Sequence, residues 1–101
     1  MAIMVLAPYD VVVVPFPFTD RAATKRRPAL VLSNEIFNRA SGHCVLAMIT
    51  SAAQSIWQGD IAITEREGTG LENPCVARLK IFTLDQRLII RKAGQIGRAH
   101  V

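Results

Sequence analysis

Apolar residues along this chain occur in short runs that polar or glycine-rich stretches separate. The first run, residues 9–18, contains four consecutive valines, and such β-branched residues favour a strand. In the fourth run, residues 60–64, apolar and polar residues alternate, which is typical of a half-buried or edge strand. The third run is apolar on both faces, which favours a central position in a sheet. The pattern therefore predicts strands in five segments: 9–18 (YDVVVVPFPF), 28–33 (PALVLS), 43–51 (HCVLAMITS), 60–64 (DIAIT) and 75–85 (CVARLKIFTLD).

The connecting segments carry turn and cap signals. Residues 19–27 have no periodic apolar pattern, which predicts an exposed loop that ends at the proline of the second strand. Residues 34–42 suit a short helical turn that ends at Gly42. Residues 65–74 predict a hairpin loop. The segment after residue 85 is ambiguous, because Thr83 and Gln86 fit a helix-capping box while Gly94 and a β-branched run favour a turn and a last short strand. We favour the strand, which predicts a small, mostly β barrel with short helices.

Length and composition limit the domain organisation. The 101 residues are predicted to form one domain, residues 1–101, and a hydrophobic fraction of 50% exceeds what a core of this size needs, which favours a homo-oligomer. No run reaches the roughly 18 apolar residues of a membrane span, and the apolar N-terminus is too short for a signal peptide, so a cytoplasmic protein is expected. Cys44 and Cys75 lie in apolar runs and are predicted to be small core residues without a disulfide.

The charge balance favours a polyanionic partner. Twelve Lys and Arg against eight Asp and Glu give a net charge of +4, and four of the cations lie between Arg21 and Arg27. Nucleic acid is the first candidate, with a merely solvated basic surface as the alternative. No Cys or His pair has metal-ligand spacing and no glycine-rich nucleotide loop occurs, so an enzyme of this sequence is expected to need no metal or cofactor.

Two places on the predicted strands could hold a phosphate. Arg27 precedes Pro28, which favours an extended backbone and projects the guanidinium from the beginning of a strand. Thr50 and Ser51 end the most apolar strand, where their hydroxyls could hold a phosphate oxygen or orient an attacking group. The simpler alternative is that the two hydroxyls only begin a turn.

Several segments in order resemble the MazF/PemK family of toxin endoribonucleases. They are DVVVVPFPFTD, KRRPALVLSN, the Phe37-Asn38 pair, MITS and FTLDQRLI, and they run from about Tyr9 to Ile96. The resemblance implies a small SH3-like β-barrel, a symmetric homodimer and metal-independent cleavage of single-stranded RNA. In that chemistry the 2′-hydroxyl attacks its own phosphodiester and leaves a 2′,3′-cyclic phosphate and a 5′-hydroxyl. It also implies a cognate antitoxin whose acidic tail covers the basic groove.

The resemblance assigns roles to particular residues. Arg27 is expected to stabilise the transition-state phosphate, and Thr50, with Ser51 in support, to hydrogen-bond the phosphate or the 2′-hydroxyl. Base stacking and backbone contacts with RNA are expected from Phe16, Phe18, Arg21, Lys25, Arg26, Arg78 and Lys80. Lys25 and Arg26 are expected to lie on a mobile loop, whereas Arg27 is held by the strand that follows.

The chain also departs from the family pattern. Tyr9 stands where many relatives have glycine, which is expected to alter the turn at the groove entrance, and Lys80 stands near a position where some members carry an acid. Many relatives continue into a C-terminal helix that is expected to be missing here. A gyrase-binding toxin of the same fold, which depends on that helix, and an inactive barrel that binds RNA or a peptide are the alternatives.

Overall fold

Six antiparallel strands form one sheet in the computed structural model, which describes residues 4–16, 25–53 and 57–96. The order across the sheet is β4-β5-β3-β2-β1-β6, so neighbours in sequence are mostly neighbours in space. The strands are β1 (Asp10–Phe16), β2 (Lys25–Val31), β3 (His43–Ser51), β4 (Ile61–Ile63), β5 (Cys75–Asp85) and β6 (Arg91–Gln95). One helix, α1 (Glu35–Ser41), joins β2 to β3, and a 3₁₀ turn (Gln86–Leu88) precedes β6. The prediction of a mostly β fold with little helix is confirmed.

Most strand predictions are confirmed. β3 and β5 have the predicted bounds, β3 lies between β5 and β2 at the centre of the sheet, and β4 lies at an edge. After β5 the chain forms a turn and a last short strand, so the capping-box helix at Thr83 is absent.

The predicted beginning of β2 is wrong. The strand begins at Lys25 rather than Pro28, because Lys25 and Arg26 pair with Phe16 and Pro15 of β1. The pairing of β1 also continues through Pro15 to Phe16. The three consecutive cations therefore lie on a strand, where alternate residues face opposite sides of the sheet.

Two apolar clusters pack on the two faces of the sheet. One contains Leu6, Val12, Val14, Ala29, Val31, Cys44, Leu46, Leu84 and Ile89. The other contains Val11, Leu30, Ile49 and Ile63, with Cys75 packed against it. Both cysteines are free and contribute to the apolar packing, as predicted.

The predicted short helix is confirmed and is capped at both ends. The Asn34 side chain accepts a hydrogen bond from the Phe37 amide at 2.8 Å, and Gly42 ends the helix with a φ of 72°. Asn38 is buried, and its amide donates to the Leu6 carbonyl oxygen at 2.8 Å. This bond fastens α1 to the segment before β1.

The beginning of β1 is held by a buried carboxylate. Asp10 is fully buried and accepts hydrogen bonds from the Ala7 amide at 2.9 Å and from Gln95 Nε2 at 2.7 Å. Lys92 Nζ lies 3.3 Å from Asp10 Oδ2 and balances its charge. These contacts attach β6 to β1 at the edge of the sheet.

The loop between β4 and β5 packs closely on β6. The Gln95 amide donates to the Gly68 carbonyl oxygen at 2.9 Å, and Thr69 is fully buried beneath the turn. A Cβ at Gly94 would lie 2.2 Å from the Gly68 carbonyl oxygen. Only glycine fits at this close backbone approach.

Candidate functional site

One face of the sheet is apolar core at one end and an open cleft at the other. Val12 and Val14 of β1 belong to the core, and Phe16, two residues further on the same face, lines the cleft. The cleft has a volume of about 420 Å³. Its lining consists of Phe16, Arg27, Met48, Ile49, Thr50, Arg78, Lys80, Ile81 and Phe82.

Arg27 and Thr50 both lie at the rim of the cleft. The β2–β3 ladder ends at the pair of Ala29 and Met48, and Arg27 and Thr50 are each two residues beyond that pair and line the same space. Both side chains are half-buried. The Arg27 guanidinium carbon lies 5.4 Å from the centroid of the Phe16 ring, and none of the described residues forms an ion pair with it. The fork of this arginine is therefore oriented and available to an anion.

Arg78 is held by a buried ion pair. Its Nε lies 3.1 Å from Asp60 Oδ1 and its Nη2 2.9 Å from Asp60 Oδ2, with the two side chains 10% and 9% exposed. The Arg78 hydrogen bonds, together with one from the Trp57 amide, hold the pKa of Asp60 below its usual value, against the opposing effect of desolvation. Arg78 therefore lines the cleft with its charge balanced, so that among the described residues Arg27 and Lys80 supply the unbalanced positive charge there.

Trp57 forms an aromatic surface beside the cleft. Its ring centroid lies 5.0 Å from the Arg78 guanidinium carbon and 5.3 Å from Lys80 Nζ, and the residue is 42% exposed. Trp57 was not predicted as a site residue, although a single tryptophan in a polar stretch just after β3 was an available signal. An exposed indole next to two cations suits stacking of a planar base.

A bulge in β5 shapes the same wall. Ala47 pairs with Ile81, but the next residue of β3, Met48, pairs with Arg78, so Leu79 and Lys80 have no partner in the ladder. Bulges of this kind bend a strand and redirect its side chains. Lys80 thereby reaches the cleft near Phe82, while Leu79 covers Gly59.

A second cavity of about 520 Å³ lies on the opposite face and shares the rim. Arg27 and Thr50 line both spaces, whereas Arg26 and Ser51 line only the second. The remaining lining comes from Val11, Val13, Pro28, Ile49, residues 70–73, Cys75, Arg91 and Ala93.

The predicted site residues thus divide among several places. Phe16, Arg78 and Lys80 lie in the cleft with Arg27 and Thr50, and Arg26 and Ser51 lie in the second cavity. Lys25 pairs with Phe16 at the beginning of β2 and lines neither space. Phe18 and Arg21 lie outside the described residues.

The expectation that Tyr9 shapes the groove entrance is wrong. Tyr9 has a φ of 74° and precedes β1, whereas the cleft begins at Phe16 at the other end of that strand. At about 3.3 Å per residue the two positions are roughly 20 Å apart. The positive φ explains instead why a glycine is suited to this position.

No cluster of three or more His, Cys, Asp or Glu that could hold a metal ion occurs within residues 4–16, 25–53 and 57–96. The helices found in the same ranges are too short to cross a membrane.

Comparisons with known proteins identify the family and the fold of the chain. A family model described as PemK-like, MazF-like toxin of type II toxin-antitoxin system matches residues 7–101. Among solved structures, the fold is similar to that of a mycobacterial endoribonuclease in complex with its cognate antitoxin, with a TM-score of 0.69 and 18% identity over 96% of this chain and 82% of that chain. At this identity the likeness concerns the fold, and it confirms the predicted barrel architecture. The comparison with curated proteins gave no match.

Proposed function

Because the chain belongs to the PemK-like, MazF-like toxin family of type II toxin–antitoxin systems, we propose that it is an endoribonuclease acting on single-stranded RNA. The observation that carries the proposal is the Arg27–Thr50 pair at the rim of the cleft. There a guanidinium that forms no ion pair with any described residue lies over the Phe16 ring, and a hydroxyl lines the same space. Such a site can hold a phosphodiester and the bases attached to it.

The reaction needs little chemistry from the protein, because the RNA supplies the nucleophile. The 2′-oxygen forms a bond to phosphorus and loses its proton, while the bond from phosphorus to the 5′-oxygen breaks and that oxygen gains a proton. The products are a 2′,3′-cyclic phosphate and a 5′-hydroxyl. DNA lacks the attacking hydroxyl and is therefore not a substrate.

We assign Arg27 to the charge that develops on the phosphorus oxygens. A guanidinium presents two parallel donors to two phosphate oxygens. Thr50 donates to a phosphate oxygen or positions the 2′-hydroxyl. Lys80 adds positive charge on the opposite wall. This set supplies electrostatic stabilisation from side chains, and we propose that cleavage proceeds without a metal ion.

Partners follow from the same surface. The net charge of +4 is complementary to an acidic antitoxin segment, and the mycobacterial endoribonuclease with a similar fold was solved with its cognate antitoxin.

We also propose a homodimer, because Ile36, Ile61 and Leu79 are 81%, 64% and 59% exposed and a second copy would cover apolar area of this kind. Sedimentation velocity tests this, and a monomer at micromolar concentration contradicts it.

The decisive experiment is cleavage of single-stranded RNA by the purified protein in EDTA. We expect products with cyclic phosphate and 5′-hydroxyl ends, and no cleavage where the attacking 2′-hydroxyl is replaced by hydrogen. Arg27→Ala should lower kcat/KM by about 100-fold or more, in line with the loss of one oriented transition-state donor. Arg39→Ala, which removes an exposed arginine of α1, is the matched control and should cleave like the parent.

Intact RNA in the presence of folded protein would contradict the proposal. Binding without cleavage would instead indicate a non-catalytic barrel. Equal rates for Arg27→Ala and Arg39→Ala would place the chemistry elsewhere in the molecule.

A further inference from the structure

The second cavity opens from the same rim as the cleft but lies on the other face of the sheet. Arg27 and Thr50 line both, so whatever is held between them has an open space on each side. A polymer bound at its internal phosphodiester extends in two directions from the bond that breaks. The proposed function therefore requires space on both sides of Arg27, and the fold provides it.

The cavity has two exposed arginines on one face. Arg26 pairs with Pro15, and Arg91 of β6 pairs with Val13, so the two cations flank β1 from its neighbours on either side. Neither forms an ion pair with any residue in the part of the chain that the structure describes. They are thus free to hold phosphate.

The rest of the lining suits a base rather than a second phosphate. Val13, Pro28 and Leu71 give an apolar floor, while Ser51 and Asn73 supply polar groups. Glu72 adds an acceptor that repels phosphate and accepts from a base amino group. The loop that carries Leu71 and Glu72 follows the turn fastened to β6 by the Gln95–Gly68 bond, so this wall is built before any ligand arrives.

We propose that this cavity is a second nucleotide subsite, in which Arg91 holds the phosphate next to the scissile one while the base lies against the 70–73 loop. The inference rests on the proposed function, since it takes the Arg27–Thr50 rim as the position of the scissile phosphate. It adds Arg91 to the RNA-binding residues. It also means that the RNA passes from one face of the sheet to the other.

The test measures binding rather than cleavage. A fluorescein-labelled, 2′-O-methylated, mixed-sequence 12-mer cannot be cut, and its Kd is measured by fluorescence anisotropy over a range of KCl concentrations. Arg91→Ala should raise Kd about 5-fold to 10-fold at low salt, and Arg91→Gln should behave alike. The slope of log K against log salt should fall by about 0.7, the value for one phosphate contact on a single strand. Arg39→Ala removes the same charge from α1, outside both spaces, and should keep the parental Kd and slope.

The outcomes separate the subsite from the function. If RNA is cut but Arg91→Ala binds like Arg39→Ala, the subsite is overturned and the proposed function stands. If RNA is bound through Arg91 but never cut, the subsite stands and the cleavage chemistry is wrong. If Arg91→Ala leaves the salt dependence of RNA binding unchanged but weakens the binding of an Asp/Glu-rich peptide, the cavity is assigned to a protein partner and the subsite is overturned. The subsite is also overturned if the protein does not bind RNA at all.

Discussion

Tyr9 offers a quantitative test of the backbone geometry before β1. A non-glycine residue with a φ of 74° costs about 1 kcal/mol or more relative to glycine. Two hydrogen bonds enforce this conformation, from the Tyr9 amide to the Val31 carbonyl oxygen at 2.7 Å and from the Ile96 amide to the Tyr9 carbonyl oxygen at 2.9 Å. We therefore expect Tyr9→Gly to relieve a strain that the fold cannot relax.

The stability of Tyr9→Gly should not be compared with that of the parent protein alone, because the substitution also removes the tyrosine side chain. Tyr9 is 53% exposed, so just under half of the side chain is buried, roughly 90 Å², and its loss costs up to about 2 kcal/mol. This term opposes the relief of strain and is of similar size. Tyr9→Ala removes the same ring while keeping a Cβ, and the comparison of Gly with Ala isolates the backbone.

We expect Tyr9→Gly to be more stable than Tyr9→Ala by about 1 kcal/mol, which is roughly 4–8 °C in Tm for a domain of this size. Thermal unfolding followed by circular dichroism gives both values, and Tyr9→Asn should lie between them. Because Tyr9 is distant from the cleft, all three should cleave RNA at the parental rate. A Tyr9→Ala protein as stable as Tyr9→Gly would refute the argument, since it would show that the turn relaxes to a negative φ.

Three further predictions test other parts of the structure. The pKa of Asp60 is lowered in the folded protein, so its ion pair stabilises the fold above the unfolded pKa of about 3.9, and this stabilisation is lost as pH falls through the lower folded pKa. Asp60→Asn should therefore be less stable than the parent at pH 7, and the difference in stability should shrink in thermal melts below about pH 4. A difference in stability that does not depend on pH would contradict the pairing. Gly94→Ala should destabilise the protein severely or prevent folding, because the new Cβ would lie 2.2 Å from the Gly68 carbonyl oxygen. Gly42→Ala is the control: Gly42 has a φ of 72° and no atom within 4 Å of the new Cβ, so this change should cost only about 1 kcal/mol in the same unfolding assay. Equal losses of stability in the two variants would show that the backbone around Gly94 is not tightly packed. Burial, with a smaller contribution from a nearby carboxylate, raises the pKa of the Cys44 thiol to about 11, so in a Cys75→Ser protein a thiol reagent at pH 8 should react only after unfolding, and rapid modification of the native protein would argue against this burial.

The local sequence pattern was sufficient to predict the bounds of the strands that contain long apolar or alternating runs. β3 and β5 have nine and eleven residues of continuous or alternating apolar character, and a glycine or a proline precedes each of them, so their bounds could be predicted. β2 could not be placed in the same way. Its first residues are three cations, and they are extended because β1 supplies partners for them, which is a tertiary effect that no local pattern carries.

The candidate site shows the same division. Arg27 and Thr50 were predicted because each adjoins a strong local signal, a proline or the end of an apolar strand. Trp57 and Arg91 were not, because their positions depend on contacts with residues distant in the sequence. The pairing of Arg78 with Asp60 was missed for the same reason, and it changes which cations in the cleft remain unbalanced.

The indole beside the cleft gives this protein an internal optical probe. Trp57 is the single tryptophan of the chain, so all tryptophan emission comes from one ring with two cations close to its face. Any molecule that stacks on the ring or displaces Lys80 changes the charge around the excited state, and therefore the intensity and wavelength of the emission. Occupation of the cleft by RNA or by an antitoxin segment can thus be followed in real time on the unlabelled protein. A ligand confined to the second cavity should leave the emission spectrum unchanged.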